Sequence, residues 1–147
     1  MTTSPAGAVI ATILCLLAFA MAGCRSVPVA GSAPVGCEPG DVAMTRDLLY
    51  FGRHRPDGGV VADAEWRAFV DDMLTPRFPD GLTIVSAVGQ WRGGDGRIER
   101  EPSEVATILH AGDASARRAI DEIIGEYKRR FAQEAVLRER GTTCARF

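Results

Sequence analysis

From residue 45 to residue 140 the apolar side chains follow two spacings in turn, one near every second residue and one of three and four, and the switches mark out strands and helices. Thr45–Gly52 (Thr-Arg-Asp-Leu-Leu-Tyr-Phe-Gly) is a run of β-forming residues halted by Gly52, and Arg53–Gly59, with its Pro-Asp-Gly-Gly, is a turn-rich loop. Trp66, Phe69, Val70, Met73 and Leu74 then recur at helical intervals, which predicts a helix that Asp63 caps and Pro76 ends. Leu82–Trp91 reads as a second strand and Arg97–His110 as a third, broken near Pro102, with Gly93–Gly96 turning the chain between them. Asp113 is placed to cap a second helix whose apolar line runs through Ala116, Ile120, Ile123, Ile124, Tyr127 and Phe131. Arg117, Arg118, Lys128, Arg129 and Arg130 fall on its wet side or in its last turn. A final strand is expected over Ala135–Arg140, ahead of Cys144.

The order β-α-β-β-α-β is that of the ferredoxin-like α+β sandwich, a four-stranded antiparallel sheet with two helices on one face. In such a fold the other sheet face is a dimer interface, a ligand floor or open to solvent. Both alternations of Leu82–Trp91 carry apolar residues, so the second face is expected to be partly covered, and a homodimer is one way to cover it.

Ahead of this domain, Ala6–Ala22 is almost wholly apolar yet shorter than the ~20 residues that comfortably span a bilayer core. Residues 1–23 therefore read as a signal peptide, although the n-region Met1–Pro5 lacks Lys and Arg. Met21-Ala22-Gly23-Cys24 looks like the lipobox of bacterial lipoproteins, in which the cysteine is acylated and becomes the new N-terminus. The competing readings are a plain cleaved signal or a single anchoring helix. Two or three acyl chains, each contributing ~0.8 kcal/mol per buried methylene, give a stable anchor. Residues 24–36, rich in Gly, Pro, Ser and Ala, read as a flexible tether, leaving 37–147 as one α+β domain. The expected address is the cell envelope, on a membrane outside the cytoplasm. In a Gram-negative host, Arg25 in place of Asp after the lipid cysteine resembles the signal for the outer membrane.

Charge adds little to this picture. The 17 basic and 19 acidic residues nearly cancel, with no long run of one sign, which argues against nucleic acid as a partner. The cysteines say more. Of four, Cys15 leaves with the signal and Cys24 is acylated, so Cys37 and Cys144 remain to form a disulfide in an oxidising compartment. Two unpaired thiols are the alternative. A metal site is disfavoured, because His54 and His110 stand apart and read as a loop histidine and a strand-end histidine.

Candidate chemistry is sparse. Arg77 could hold an anion through both nitrogens, but such an arginine more often ties a turn together through carbonyls or a carboxylate. Trp91 and Arg92 could form a stacking or anion platform, or the indole could pack under the hairpin. With Tyr50, these are the ligand-binding candidates. Glu99, Glu101 and Glu104 alternate with Arg97 and Arg100, the pattern of an exposed strand rather than of an acid and base. No nucleophile elbow, phosphate loop, metal motif or cofactor motif is present, and no catalytic residue is assigned.

Thr75-Pro-Arg-Phe-Pro79 with Asp80-Gly81 is the most distinctive segment, and Leu49–Gly52, Gly89–Arg92, Arg100–Ser103 and Tyr127–Phe131 accompany it. Over Cys37–Phe147 these segments resemble an uncharacterised bacterial family, a domain of unknown function marked by a Thr-Pro-Arg-Phe-Pro motif. The resemblance implies a small secreted or lipid-anchored protein and brings no reaction with it.

The expectation is a non-enzymatic envelope lipoprotein, a binding or structural module taking a protein or small ligand on the open sheet face or at the Thr75–Gly81 turn. The competing expectation is a small dimeric enzyme of the ferredoxin-like barrel kind, of isomerase or oxygenase type, with Tyr50, Arg77, Gln90 and Tyr127 as polar donors. The anchor is tested by Cys24→Ser. The variant is expected to lose membrane fractionation and incorporation of radioactive palmitate, and unchanged labelling would contradict lipidation of Cys24.

Overall fold

Every second residue of the first strand points into the core, and that alternation organises the sheet. Strand β1, Val42–Gly52, buries Asp47, Leu49 and Phe51, and Arg53 continues the alternation one step past its end. The structure is a computed structural model that describes residues 36–94 and 96–147; Cys24, the expected signal peptide and most of the expected tether lie outside the described residues. Strands β2 (Leu82–Arg92), β3 (Ile98–His110) and β4 (Leu137–Ala145) complete a sheet of order β2-β3-β1-β4, antiparallel throughout. This is the ferredoxin-like α+β arrangement, with both helices on one face.

Helix α1, Asp63–Phe69, opens into a wider π turn over Val70–Leu74, where the Thr75 N–H bonds back to the Val70 carbonyl at 3.0 Å. Asp63 does not cap it. Ala62 holds the cap position, Glu65 reaches back to the Ala62 N–H at 2.9 Å, and Asp63 instead pairs with Arg53 at 2.6 Å. Helix α2, Ala114–Phe131, is capped by Asp113, whose side chain accepts from the Ala116 N–H at 2.8 Å. It ends on Ala132 in the left-handed region, φ 54°.

Between the helices and the sheet lies an aromatic cluster. Tyr127 is its hub, with ring centroids 4.7 Å from Phe51, 5.0 Å from Phe69 and 4.8 Å from Phe131. Its hydroxyl donates to the Gly52 carbonyl at 2.9 Å, so a fully buried phenol leaves no polar atom unpaired. Burial pushes this phenol's pKa upward.

Three further expectations need correction. Strand β3 is not broken at Pro102: that residue pairs with Val88, and the Arg53 N–H donates to its carbonyl at 3.0 Å. The return bond that proline cannot make is not missed, because the Arg53 carbonyl takes the Val61 N–H at 2.8 Å. Strand β4 starts later and runs further than Ala135–Arg140, so Cys144 lies within it, opposite Ala43. Glu104 is not on an exposed strand face; it is 5% exposed and bonds Arg53 at 3.1 Å and Ser86 at 2.9 Å.

Strand β4 has little apolar surface in the core and is held by other means. Cys37 and Cys144 are disulfide-bonded, with Cα atoms 5.5 Å apart, which ties the chain before β1 to the end of β4. Asp47, wholly buried, accepts from Arg138 at 2.8 and 3.1 Å, from Arg140 at 3.3 Å and from His110 at 2.8 Å. Gly112 N–H donates to His110 Nδ1 at 3.0 Å, leaving Nε2 to carry the proton given to Asp47. Burial alone would push the Asp47 carboxyl up; the hydrogen bonds from Arg138, His110 and Arg140 override it and hold the pKa at about 2.

Two outcomes follow from these ties. Because the folded pKa of Asp47 lies below the ~3.9 of an unfolded aspartate, its contribution, on the order of 2 kcal/mol, is complete above that value. It is lost as pH falls through about 2. Asp47→Asn should flatten this acid limb in urea titrations and lower stability at neutral pH by about 3 kcal/mol; an unchanged acid limb contradicts the assignment. Reducing the Cys37–Cys144 bond should cost up to ~4 to 5 kcal/mol, read as a lower urea midpoint, and identical midpoints with and without reductant would show that the bond contributes nothing.

Candidate functional site

On the sheet face away from the helices, the strand alternation gathers side chains that are far apart in sequence. Tyr50 and Gly52 of β1, Gly89 and Trp91 of β2, Glu99, Glu101 and Ser103 of β3, and Leu137 of β4 share this face at one end of the sheet. Register fixes the pairs: Trp91 stands opposite Glu99, Gly89 opposite Glu101, and Gly52 opposite Ser103. The His54–Gly58 loop and the segment Ala132–Ala135 rise beside them and enclose a groove of about 720 Å³.

Two glycines make its floor. A Cβ on Gly52 would lie 2.5 Å from a Glu101 carboxylate oxygen, so the carboxylate rests in the space that the missing side chain leaves. The His54 N–H holds its other oxygen at 3.0 Å. Gly89, directly across the ladder, keeps the floor low on the far side of Glu101. Trp91, 41% exposed, forms a wall, whereas the other tryptophan, Trp66, is buried in the core. Among the described residues, three carboxylates line the groove, those of Glu99, Glu101 and Glu134. Its arginine, Arg55, is already paired with Glu65 at 2.6 Å, with its guanidinium 5.5 Å from the centre of the Phe131 ring. Gln133 is likewise engaged, giving a hydrogen bond to the His54 carbonyl at 2.5 Å. The net field of the lining is negative, with an aromatic surface beside it.

The sequence candidates separate on this map. Tyr50 and Trp91 line the same groove. The Tyr50 hydroxyl donates to Glu139 at 2.5 Å, and that hydrogen bond raises the phenol's pKa. Arg92 follows Trp91 on the strand and so projects to the opposite face, outside the groove. An anion platform built from Trp91 and Arg92 is thereby contradicted: the indole faces carboxylates. Arg77 lies elsewhere, in a second groove of about 840 Å³ shared with Phe78, Asp80, His110, Asp113 and Phe147. Its Nε reaches Glu122 at 3.1 Å and one terminal nitrogen reaches the Met73 carbonyl at 3.1 Å, so it ties the Thr75–Gly81 turn to both helices. Phe78 of that turn is buried, as its place after the helix stop suggested.

Sequence reading missed the interior charges Asp47, Arg53 and Glu104, and the part played by Glu101. The signal was available for the first three: Asp47 shares the inward parity of Leu49 and Phe51, Arg53 continues it one step past the strand, and Glu104 shares that of Ala106 and Ile108. Glu101 could be found only from the β1–β3 register. Among the described residues, no group of three His, Cys, Asp or Glu side chains is arranged to hold a metal ion, and no helix is long and apolar enough to cross a membrane.

Known structures share the fold. A phage SAM lyase in complex with S-methyl-5'-thioadenosine matches at 14% identity and a TM-score of 0.53, covering 79% of this chain and 97% of the lyase. The apo state of phage SAM lyase matches at 14% identity and a TM-score of 0.52, covering 71% and 90%. CutA from Synechococcus elongatus PCC7942 matches at 11% identity and a TM-score of 0.47, covering 74% and 82%. At 14% identity the likeness to the lyase is one of fold. No curated protein sequence matches the chain. The family described as Protein of unknown function (DUF3574) matches residues 46–147, which include both grooves' central residues, and the chain belongs to that family.

Proposed function

We propose that the protein is a cell-envelope lipoprotein, acylated at Cys24 and tethered by residues 24–36, whose domain is a binding module for a small organic cation. Its address is supported by the apolar run and Met21–Cys24. Its binding role rests on one observation: Tyr50, Gly52, Gly89, Trp91 and Glu101, drawn from three strands, converge on an open groove with an aromatic wall and carboxylates along its floor.

A cation suits this lining for two reasons. Carboxylates draw it in from solution, and the indole face attracts it at a contact worth ~0.5 to 2 kcal/mol. An anion would meet three carboxylates with the Arg55 charge already satisfied. Binding is favoured over the enzymatic alternative because the groove is open and its phenol already donates to Glu139, which raises the pKa and makes Tyr50 a poorer proton donor.

Titration with choline, and with a neutral isostere of the same shape, tests this by calorimetry. Choline is expected to bind and the isostere to bind at least tenfold more weakly, the equivalent of ~1.4 kcal/mol. Trp91→Ala and Glu101→Gln should each weaken choline by about tenfold, with both variants still unfolding in one cooperative transition, because Trp91 is on the solvent face and Gln at 101 keeps an oxygen to accept the His54 N–H. Equal binding of the two ligands, or of choline to all variants, would contradict a cation site here.

A further inference from the structure

The two edges of the sheet are built differently. The β4 edge carries Arg138, Glu139 and Arg140, and its end is clamped by the disulfide, the kind of protection that keeps an edge from pairing. Among the described residues, strand β2, at the other edge, is hydrogen-bonded to β3 alone. Its residues Leu82–Trp91 contain no charge and no proline, and its ladder to β3 runs unbroken from Leu82 to Arg92 with no bulge. Alternate residues of such a strand turn N–H and C=O outward, unpaired.

Apolar side chains flank that edge on both sheet faces. Val85 is 57% exposed on the face away from the helices, and Val88 is 79% exposed on the other. Ile98, which pairs with Arg92 at the end of the hairpin, is 46% exposed. Among the described residues, the expectation that the second face of Leu82–Trp91 is partly covered is thus unmet at Val85.

We infer that β2 pairs antiparallel with β2 of a second copy across a two-fold axis, joining two sheets into one. The strand is suited to its own copy. Its middle residue is Ala87, and pairing about that residue uses the whole of Leu82–Arg92. In this register the sole charged side chain, Arg92, stands opposite Leu82 of the other copy, Val85 stands opposite Gly89, and Val88 stands opposite Ser86. No like charges meet and no bulky pair collides. The charged β4 edge offers no such match. Pairing also sets the second copy's Thr83 beside Trp91, at the open side of the groove. This inference stands on the edge strand alone and does not depend on what the groove binds.

Cysteine cross-linking in the detergent-solubilised full chain tests it. Two-fold pairing places the Ala87 Cα atoms of the two copies about 4.5 to 5.5 Å apart, within disulfide range, and Ala87 is exposed, so Ala87→Cys should fold normally. Under mild oxidation this variant is expected to give a disulfide-linked dimer on a non-reducing gel, well above the level of the unsubstituted chain. Thr83→Cys, opposite Trp91 in this register, should stay at that level. Light scattering of the unsubstituted chain should report two copies, and Val85→Lys with Val88→Lys should reduce it to one. A mass of one or three chains, or equal cross-linking at Ala87 and Thr83, would overturn the pairing.

Discussion

A buried carboxylate holds the sheet to its last strand. Asp47 sits at the centre of β1 with no solvent contact and gathers Arg138 and Arg140 from β4 and His110 from β3. Arg138 extends the connection to α2 through Asp121 at 3.1 Å. An unpaired ionised group in that position would cost several kcal/mol, so the carboxylate is tolerable only when these donors surround it. Strand β4 in turn gains from Asp47 what its few apolar contacts cannot supply. Sheet, helix and disulfide then converge on one strand order, and that order brings Tyr50 beside Leu137 and Glu139.

From this frame the groove follows with little further design. The Arg53–Glu104–Asp63 ion-pair network fixes the chain where it leaves β1, and the Arg53 carbonyl secures Val61. The loop between them is thereby held against the sheet end, where His54 offers its N–H to Glu101. Tyr127 does the same from below, anchoring the Gly52 carbonyl while Gly52 leaves room above for the Glu101 carboxylate. Core and groove are therefore two faces of the same few residues: Phe51 packs into the aromatic cluster, and its neighbours Tyr50 and Gly52 face the groove.

Much of this frame was legible in the sequence because it rests on local pattern. The spacing of Trp66, Phe69 and Leu74, the helix stop at Pro76 and the cap at Asp113 each depend on near neighbours. The errors came where distant residues decide the outcome. By local pattern Pro102 reads as a strand breaker, but Val61 takes the Arg53 carbonyl that proline leaves without a donor. Glu104 seemed exposed because charges alternate around it, yet it shares the inward parity of Ala106 and Ile108, and Arg53 makes that position tolerable. The groove was only half visible: Tyr50 and Trp91 stood out as aromatics, whereas Glu101 gains its place from a glycine on another strand.

Membership of a family of unknown function and a widely used fold leave the site itself to speak for function. The claim at the centre is that the Trp91 wall and the Glu101 floor receive a positively charged ligand. The most direct measurement is the nuclear magnetic resonance of the two indole N–H groups of the nitrogen-15-labelled chain during titration with choline. Choline is expected to give a saturable shift of the Trp91 signal with the buried Trp66 signal unmoved, and sulfate no saturable shift. Two unmoved signals, or a Trp91 response to sulfate equal to that with choline, would contradict it.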